Sequence, residues 1–377
     1  MAGKSERKRK VALEEIVMIS AVMIAGFALQ FFSGPFDKRF LAFPVNVILI
    51  AMLLLIFFMK KGGGLSRMAS GSLSVTLLAA MTIAALRMGL VPGNMVKISW
   101  PFVLLYLLVL VNLTAIIALK IKSFSVKQIP FMLNHAGLLI LLLAAGPGSA
   151  DKARYFMTVA EGTTEWRGEP SGSREGTNVV ELPIAVELKD FSMEEYPPRL
   201  GIVDKTTGEA MPAGKPLFYE SVVGASFSID RWEIAVDSVL DKYRYAPAAY
   251  VRVKETGSGE LNEGWVSCGN YFQHFKILDL DDRLCVAMTF PEPKAYRSEV
   301  KVFTPDGDVK NGIIEVNSPM TMKSWKIYQF SYDTQKGRDS EHSIFELVYD
   351  PWVIPSYIGF ILMLFGAVTL FWKGGRR

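Results

Sequence analysis

Cysteine and histidine are scarce in this chain of 377 residues. Two cysteines, Cys268 and Cys285, exclude a multi-cysteine zinc scaffold, an iron–sulfur cluster and a CxxCH attachment motif. Three histidines, His135, His274 and His342, leave few groups for metal or proton chemistry. Charge is sparse too: 21% of residues are Asp, Glu, Lys or Arg, against 50% hydrophobic, and a soluble protein is rarely so apolar. No GxxxxGK[ST] loop, HExxH motif or carboxylate cluster at metal spacing is present, nor a recognisable Ser/His/Asp arrangement. Gly62-Gly63-Gly64 reads as a flexible connector. The basic run from Lys4 to Lys10 is accounted for by anionic membrane lipid, so nucleic acid is not invoked. The composition is that of a membrane protein.

Six stretches without a charged residue are long enough to cross a hydrocarbon core of about 30 Å: 16–32, 40–59, 70–86, 98–119, 128–150 and 351–372. The first is no signal peptide, because its apolar run is long, no small-residue cleavage site follows it, and a second span starts soon after. With the N-terminus inside, fourteen Lys and Arg fall in the cytoplasmic segments and only Lys38, Arg39, Arg87 and Lys97 in the short outer loops. Both termini are therefore expected in the cytoplasm. The fifth span has Pro130, Gly146, Pro147 and Gly148 at its ends, and its uninterrupted core, 131–145, covers about 22 Å. A re-entrant segment there would put Lys373, Arg376 and Arg377 outside, so a full crossing is expected. Trp352 and Trp372 lie about 30 Å apart on a helix, at the two interfaces.

The expected fold is a multi-pass α-helical membrane protein of six spans with a large, mostly antiparallel β domain outside the cytoplasm. Its parts are a five-span region (1–150), the extracytoplasmic domain (151–350) and a last span with a cytoplasmic tail (351–377). Within the domain, 179–188, 226–236, 249–254 and 325–332 read as strands by period-two alternation and β-rich composition. Pro305-Asp306-Gly307 and Lys310-Asn311-Gly312 read as tight turns. A sandwich or a barrel-like sheet fits. Cys268 and Cys285 either form a disulfide, which that compartment permits, or remain buried thiols. Without a CxxC pair to lower a thiol pKa, redox catalysis is not expected of them.

His135 carries the most information, because ionisable groups inside spans are expensive and tend to mark function. It sits early in the fifth span beside Asn134, and a neutral imidazole is a natural axial ligand for haem iron. The structural alternative is a histidine near the interface, hydrogen-bonded to a neighbouring helix. Arg87 can snorkel from the end of the third span to the headgroups. His274 and His342 read as ordinary histidines of the β domain.

Three segments resemble the ResB/CcsB family, the membrane subunit of the system II cytochrome c maturation machinery. They are Asn134-His135-Ala136-Gly137-Leu138; Asn317-Ser318-Pro319 with Trp325-Lys326-Ile327-Tyr328-Gln329-Phe330-Ser331-Tyr332-Asp333; and Tyr349-Asp350-Pro351 leading into the last span with Gly359 and Gly366. Leu182-Pro183-Ile184 and Glu194-Glu195-Tyr196-Pro197-Pro198 also resemble the form paired with a separate CcsA-type protein. The match runs from about position 128 to the end. Trp352 stands where the family often has Gly, and the family core is usually described with four spans rather than six.

The resemblance implies a subunit of a holocytochrome c synthetase (haem lyase) in the bacterial inner membrane. Haem b would be its transported substrate, with a CcsA-type membrane protein and apocytochrome c as partners. The residue matching the family's haem-ligating histidine is His135. The chain has seven tryptophans and none adjacent to another, so it lacks the tryptophan-rich haem-presenting loop that the partner supplies. The contrasting expectation is a membrane-tethered binding or scaffold protein with no haem role.

Overall fold

The computed structural model describes residues 2–93, 95–172 and 178–374, with side chains from Glu14 to Trp372 within those ranges. The side chains of Lys4 to Lys10 and of Lys373, and residues Arg376 and Arg377, used above for orientation, lie outside the description. The chain forms two compact units, Met1–Ala153 with Tyr349–Arg377, and Arg154–Val348.

The first unit is helical: α1 (Ala2–Ser33), α2 (Val45–Leu55), α3 (Gly63–Met68), α4 (Gly71–Leu90), α5 (Trp100–Ile121), α6 (Ile129–Ala145) and α7 (Val353–Gly374). Five apolar helical stretches are long enough to cross a membrane: 14–33, 63–90, 100–121, 126–151 and 353–372. The expected second span, 40–59, is shorter than its apolar run. Lys38–Leu41 is a 3-10 turn, Pro44 blocks helix until Val45, and α2 with the 3-10 turn Ile56–Phe58 makes one short apolar helix. Its ends nevertheless meet opposite ends of the other helices. The Phe43 N–H donates to Asp151 beyond the C-terminus of α6 (2.7 Å), while Lys122 at the C-terminus of α5 donates to the Phe57 carbonyl (2.8 Å).

Proline opens α5 and α6 at no hydrogen-bond cost, because first-turn N–H groups have no helical partner. The Trp100 N–H at the start of α5 donates instead to Gln30 Oε1 of α1 (3.0 Å). Gly26 lets α1 lie against Pro101, where an added Cβ would sit 2.6 Å from its Cα. Helices α6 and α7 pack closest: a Cβ on Gly137 would stand 2.5 Å from the Gly359 carbonyl oxygen, and one on Gly366 2.5 Å from the Asn134 nitrogen. This is the small-residue contact that lipid-embedded helices use to bring backbones together. It accounts for the two glycines of the last span that carried the resemblance.

The second unit is antiparallel β throughout its ladders. Strands β1 (Ala153–Ala160), β2 (Thr164–Pro170) and β3 (Val180–Glu195) come first. Next come β4 (Arg199–Asp204), β5 (Tyr219–Glu220), β6 (Ser226–Ile229), β7 (Trp232–Leu240), β8 (Ala248–Glu255), β9 (Leu261–Ser267), β10 (Leu278–Asp279) and β11 (Leu284–Met288). The chain returns through β12 (Pro293–Phe303), β13 (Val309–Glu315), β14 (Met320–Met322), β15 (Trp325–Tyr332) and β16 (His342–Tyr349). One sheet has the order β13-β12-β3-β2-β1-β16-β15-β14, and β3 pairs with β12 from Glu195↔Pro293 onward. Its first and last strands are joined by a short turn and tied by Lys310 Nζ donating to the Thr321 carbonyl (2.9 Å), so the sheet rolls towards a barrel. Strands β4 to β11 are inserted between β3 and β12 as two four-stranded sheets around Ile202, Ile229, Trp232, Val251 and Val286.

Two local expectations change. The run 226–236 is a hairpin, because Asp230 at φ 53° turns the chain between β6 and β7. Asn311-Gly312 makes no turn: both pair with β12, and Gly312 leaves room for the Met320 side chain. The turn of that hairpin is at Pro305-Asp306-Gly307, with Gly307 at φ 86°. Cys268 and Cys285 are free buried thiols: Cys268, just after β9, belongs to the core of the inserted sheets, and Cys285 lies on β11 beside the core residue Val286. Burial pushes Cys268 up to about 11 and Cys285 in the same direction, which keeps both protonated and inert.

Candidate functional site

Helix α6 presents two packing faces. Asn134, Gly137 and Leu141 meet α7, while Leu139, Leu142 and Leu143 join the cluster of Leu110, Ala115 and Ala118 on α5. Tyr106 of α5 donates to the Leu142 carbonyl (2.6 Å), and Gly146 leaves space for its ring. Gln128, Phe131, His135, Leu139 and Leu142 recur at helical spacing, which puts them along the stripe towards α5.

His135 is half-buried on that stripe. Its Nδ1 lies 2.9 Å from the Phe131 carbonyl oxygen, and its ring stacks on the Phe131 ring with centroids 3.7 Å apart and planes at 26°. A carbonyl can only accept, so Nδ1 carries the proton and Nε2 holds the lone pair. Nε2 has no hydrogen-bond partner among the described residues. The imidazole is thus oriented from behind by its own helix and leaves one ligand atom open, as metal-binding histidines are. Lys120 Nζ at the end of α5 lies 5.5 Å from the centre of the same Phe131 ring.

The other two histidines belong to the β unit. His274 is exposed, and His342 on β16 lies 3.7 Å from Asp333. Among the described residues no group of three or more His, Cys, Asp or Glu could hold a metal ion.

Most of the resembling motifs build structure. Asn317 adopts φ 65° in the turn from β13 to β14, a conformation asparagine tolerates better than most residues. Gln329 points inside the rolled sheet, where Ser298 donates to its Oε1 (2.7 Å) and also bonds Ser343 (2.6 Å). Pro183 falls at the bulge between β2 and β3, where no ladder N–H is required. Asp350 accepts from the Trp352 N–H (3.1 Å) at the entry to α7 and pairs with Lys152 (3.2 Å).

Sequence reasoning missed three features. Glu15 is 8% exposed and accepts from Ser70 (2.5 Å) and Ser72 (2.8 Å); counting spans by absence of charge had placed it outside the first one. Asp151 accepts from Phe43, from the fully buried Asn46 amide (2.6 Å) and from Trp352 Nε1 (2.7 Å). A cleft of about 660 Å³ opens in the β unit beside Glu195, Tyr245, Tyr271, Phe290, Tyr332 and Arg338. Arg338 is held there by Asp241 and by the Lys242 (2.9 Å) and Tyr245 (3.0 Å) carbonyls.

A membrane-embedded helix bearing an oriented imidazole, followed by a β unit with an inserted pair of sheets, defines a class of membrane protein with a large appended β domain. Within that class the model of the ResB-like family matches residues 125–227 and 274–346, and the chain belongs to that family. The unmatched 228–273 carries β7 to β9. No curated protein matches the chain. Among solved structures, the chain is similar to one titled "Cytochrome c Heme Lyase CcmF" at 12% identity and a TM-score of 0.28; the alignment covers 96% of this chain. The chain spans 44% of that structure's length.

Proposed function

We propose that the chain is a membrane subunit of a system II cytochrome c synthetase that passes haem b outward and works beside a CcsA-type partner. Membership in the ResB-like family supports a role in cytochrome c biogenesis. The observation that carries the finer reading is the His135 imidazole, with Nδ1 engaged by Phe131 and Nε2 open inside an apolar helix. Haem is the cargo, and its iron supplies the Lewis acid that such a nitrogen ligates.

This chain's share of the work is binding and orientation. The Phe131 carbonyl fixes the tautomer, the Phe131 ring holds the imidazole plane, and the glycine-packed α6 and α7 keep the helix from drifting. The N- and C-termini lie in the cytoplasm of a bacterial inner membrane with α2 as a sixth, short crossing, and the β unit stands outside. Its aromatic-rimmed cleft at Tyr245, Tyr271 and Phe290 holds apocytochrome c while the partner presents haem.

The test is co-expression of the full chain with its CcsA-type partner, purification of the complex and haem quantification by absorption. His135→Ala should lower bound haem at least about tenfold, since losing the ligand costs no less than losing one of the groups that support it, about 10–100-fold. Added imidazole should restore part of the spectrum. An unchanged spectrum removes the ligand assignment and favours a tethered scaffold.

A further inference from the structure

We propose that Lys120 is the anion-pairing residue of the His135 site, receiving a carboxylate carried on the rim of the flat ligand held there. The inference rests on His135 as a haem ligand and adds the part of the ligand that iron coordination leaves unread. The Phe131 ring is the link: His135 stacks on it, and the Lys120 ammonium stands 5.5 Å from its centre.

Lys120 is only partly exposed, and among the described residues it makes no ion pair and no hydrogen bond. Lys122, two residues on, donates to the Phe57 carbonyl (2.8 Å), and in the β unit Lys323 alone holds two carboxylates. A second unsatisfied polar group shares the stripe. Gln128 Oε1 is buried without a partner among the described residues, three positions before Phe131 and seven before His135. The inner ends of α5 and α6 therefore combine an open imidazole nitrogen, an aromatic plate, an unpaired cation and an unpaired amide.

The chemistry this selects is a planar aromatic macrocycle with an iron-type acceptor at its centre and a carboxylate at its edge. A propionate entering an apolar helix bundle is costly unless a cation meets it. Lys120 meets that need on one side of the macrocycle. It acts on affinity and orientation and touches no reacting atom.

The experiment is equilibrium titration of the purified full chain in detergent with haem b and with its dimethyl ester, whose edge carboxylates are blocked. Lys120→Gln should weaken haem binding about fivefold to tenfold, the size of one partly buried charge pair, and leave ester binding unchanged. Lys120→Arg should restore haem affinity, and His135→Ala should weaken both ligands and alter the absorption spectrum. If Lys120→Gln affects both ligands equally, or neither, while His135→Ala still weakens both, the Lys120 assignment is overturned and the haem reading survives. If His135→Ala changes nothing, the underlying reading falls instead. Should Lys120→Gln fail to purify as a single species, Lys120→Met supplies the same ratio of haem to ester affinity. In the unaltered protein, rising salt should weaken haem more than ester, and equal slopes overturn the pairing.

Discussion

The two units of this chain solve the packing problem in opposite ways. In the helical unit the closest approaches occur where side chains are missing: Gly137 against Gly359, Gly366 against Asn134, Gly26 against Pro101. The β unit instead wholly covers large side chains, as at Phe345, Ile184, Ile234 and Leu188. The solvent explains the difference. Lipid tails are as apolar as leucine, so helices gain little by burying one another and rely on backbone proximity and a few hydrogen bonds. Water rewards each covered apolar Å² by about 25 cal/mol, so the β unit fills its cores instead.

The sharpest way to break this contrast is at the α6–α7 contact. Gly137→Val should abolish recovery of monodisperse full-length protein, because its Cβ meets the Gly359 backbone with no flexible neighbour to yield. Gly89→Ala, with open space at its Cβ, is the control and should be neutral or stabilising by up to about 1 kcal/mol. Equal recovery of both variants by size exclusion would remove the claim that glycine brings these helices together. In the β unit, Phe345→Ala should cost about 3–5 kcal/mol in chemical denaturation through the cavity it leaves, since Phe345 is fully covered. A loss under 1 kcal/mol would mean the rolled sheet collapses into the gap.

Hydrogen bonds come next in size. Asp151→Ala strands the buried Asn46 amide and the Trp352 indole, and should cost about 1–3 kcal/mol, the penalty for leaving a buried donor unmet. Asp151→Asn keeps acceptor capacity and should lose less. Thermal melts of the detergent-solubilised chain check the order of the two.

Much of this was legible in the sequence, and the failures have physical causes. The β character of 325–332 shows in its alternation, and five of the expected spans stand out as apolar runs that fold into helices long enough to cross a membrane. The length of α2 was hidden because hydropathy sees apolar residues and not the proline that delays the helix. Asn311-Gly312 signals a turn locally, but the register set by β12 overrides it. His135 was visible as an ionisable group in an apolar run. Its environment was not: the stack on Phe131, the nearby Lys120 and the unsatisfied Gln128 depend on which stripe of α6 faces α5. Glu15 was lost because its serine partners lie some 55 residues further along the chain.

The smallest expected effect separates two carboxyls within the β unit. The Arg167 side chain holds Glu165 down at about 2, whereas burial raises Glu195 despite Arg338 beside it. For Glu165 the folded value lies below the unfolded one, so its stabilisation is present above about pH 4.5 and fades as pH falls towards 2. For Glu195 the folded value lies above, so its contribution is favourable below about pH 4.5 and is lost as pH rises through the raised value. Glu195→Gln should therefore raise the melting temperature at pH 7 and leave it unchanged at pH 4, while Glu165→Gln should lower it at pH 7 and converge on the unaltered protein near pH 2–3. Both changes should stay within about 2–4 °C, the shift that roughly 1 kcal/mol produces in a domain of this size. If Glu195→Gln destabilises at pH 7, its contact with Arg338 outweighs burial, and the cleft is braced by a working ion pair rather than strained by a poorly solvated carboxylate.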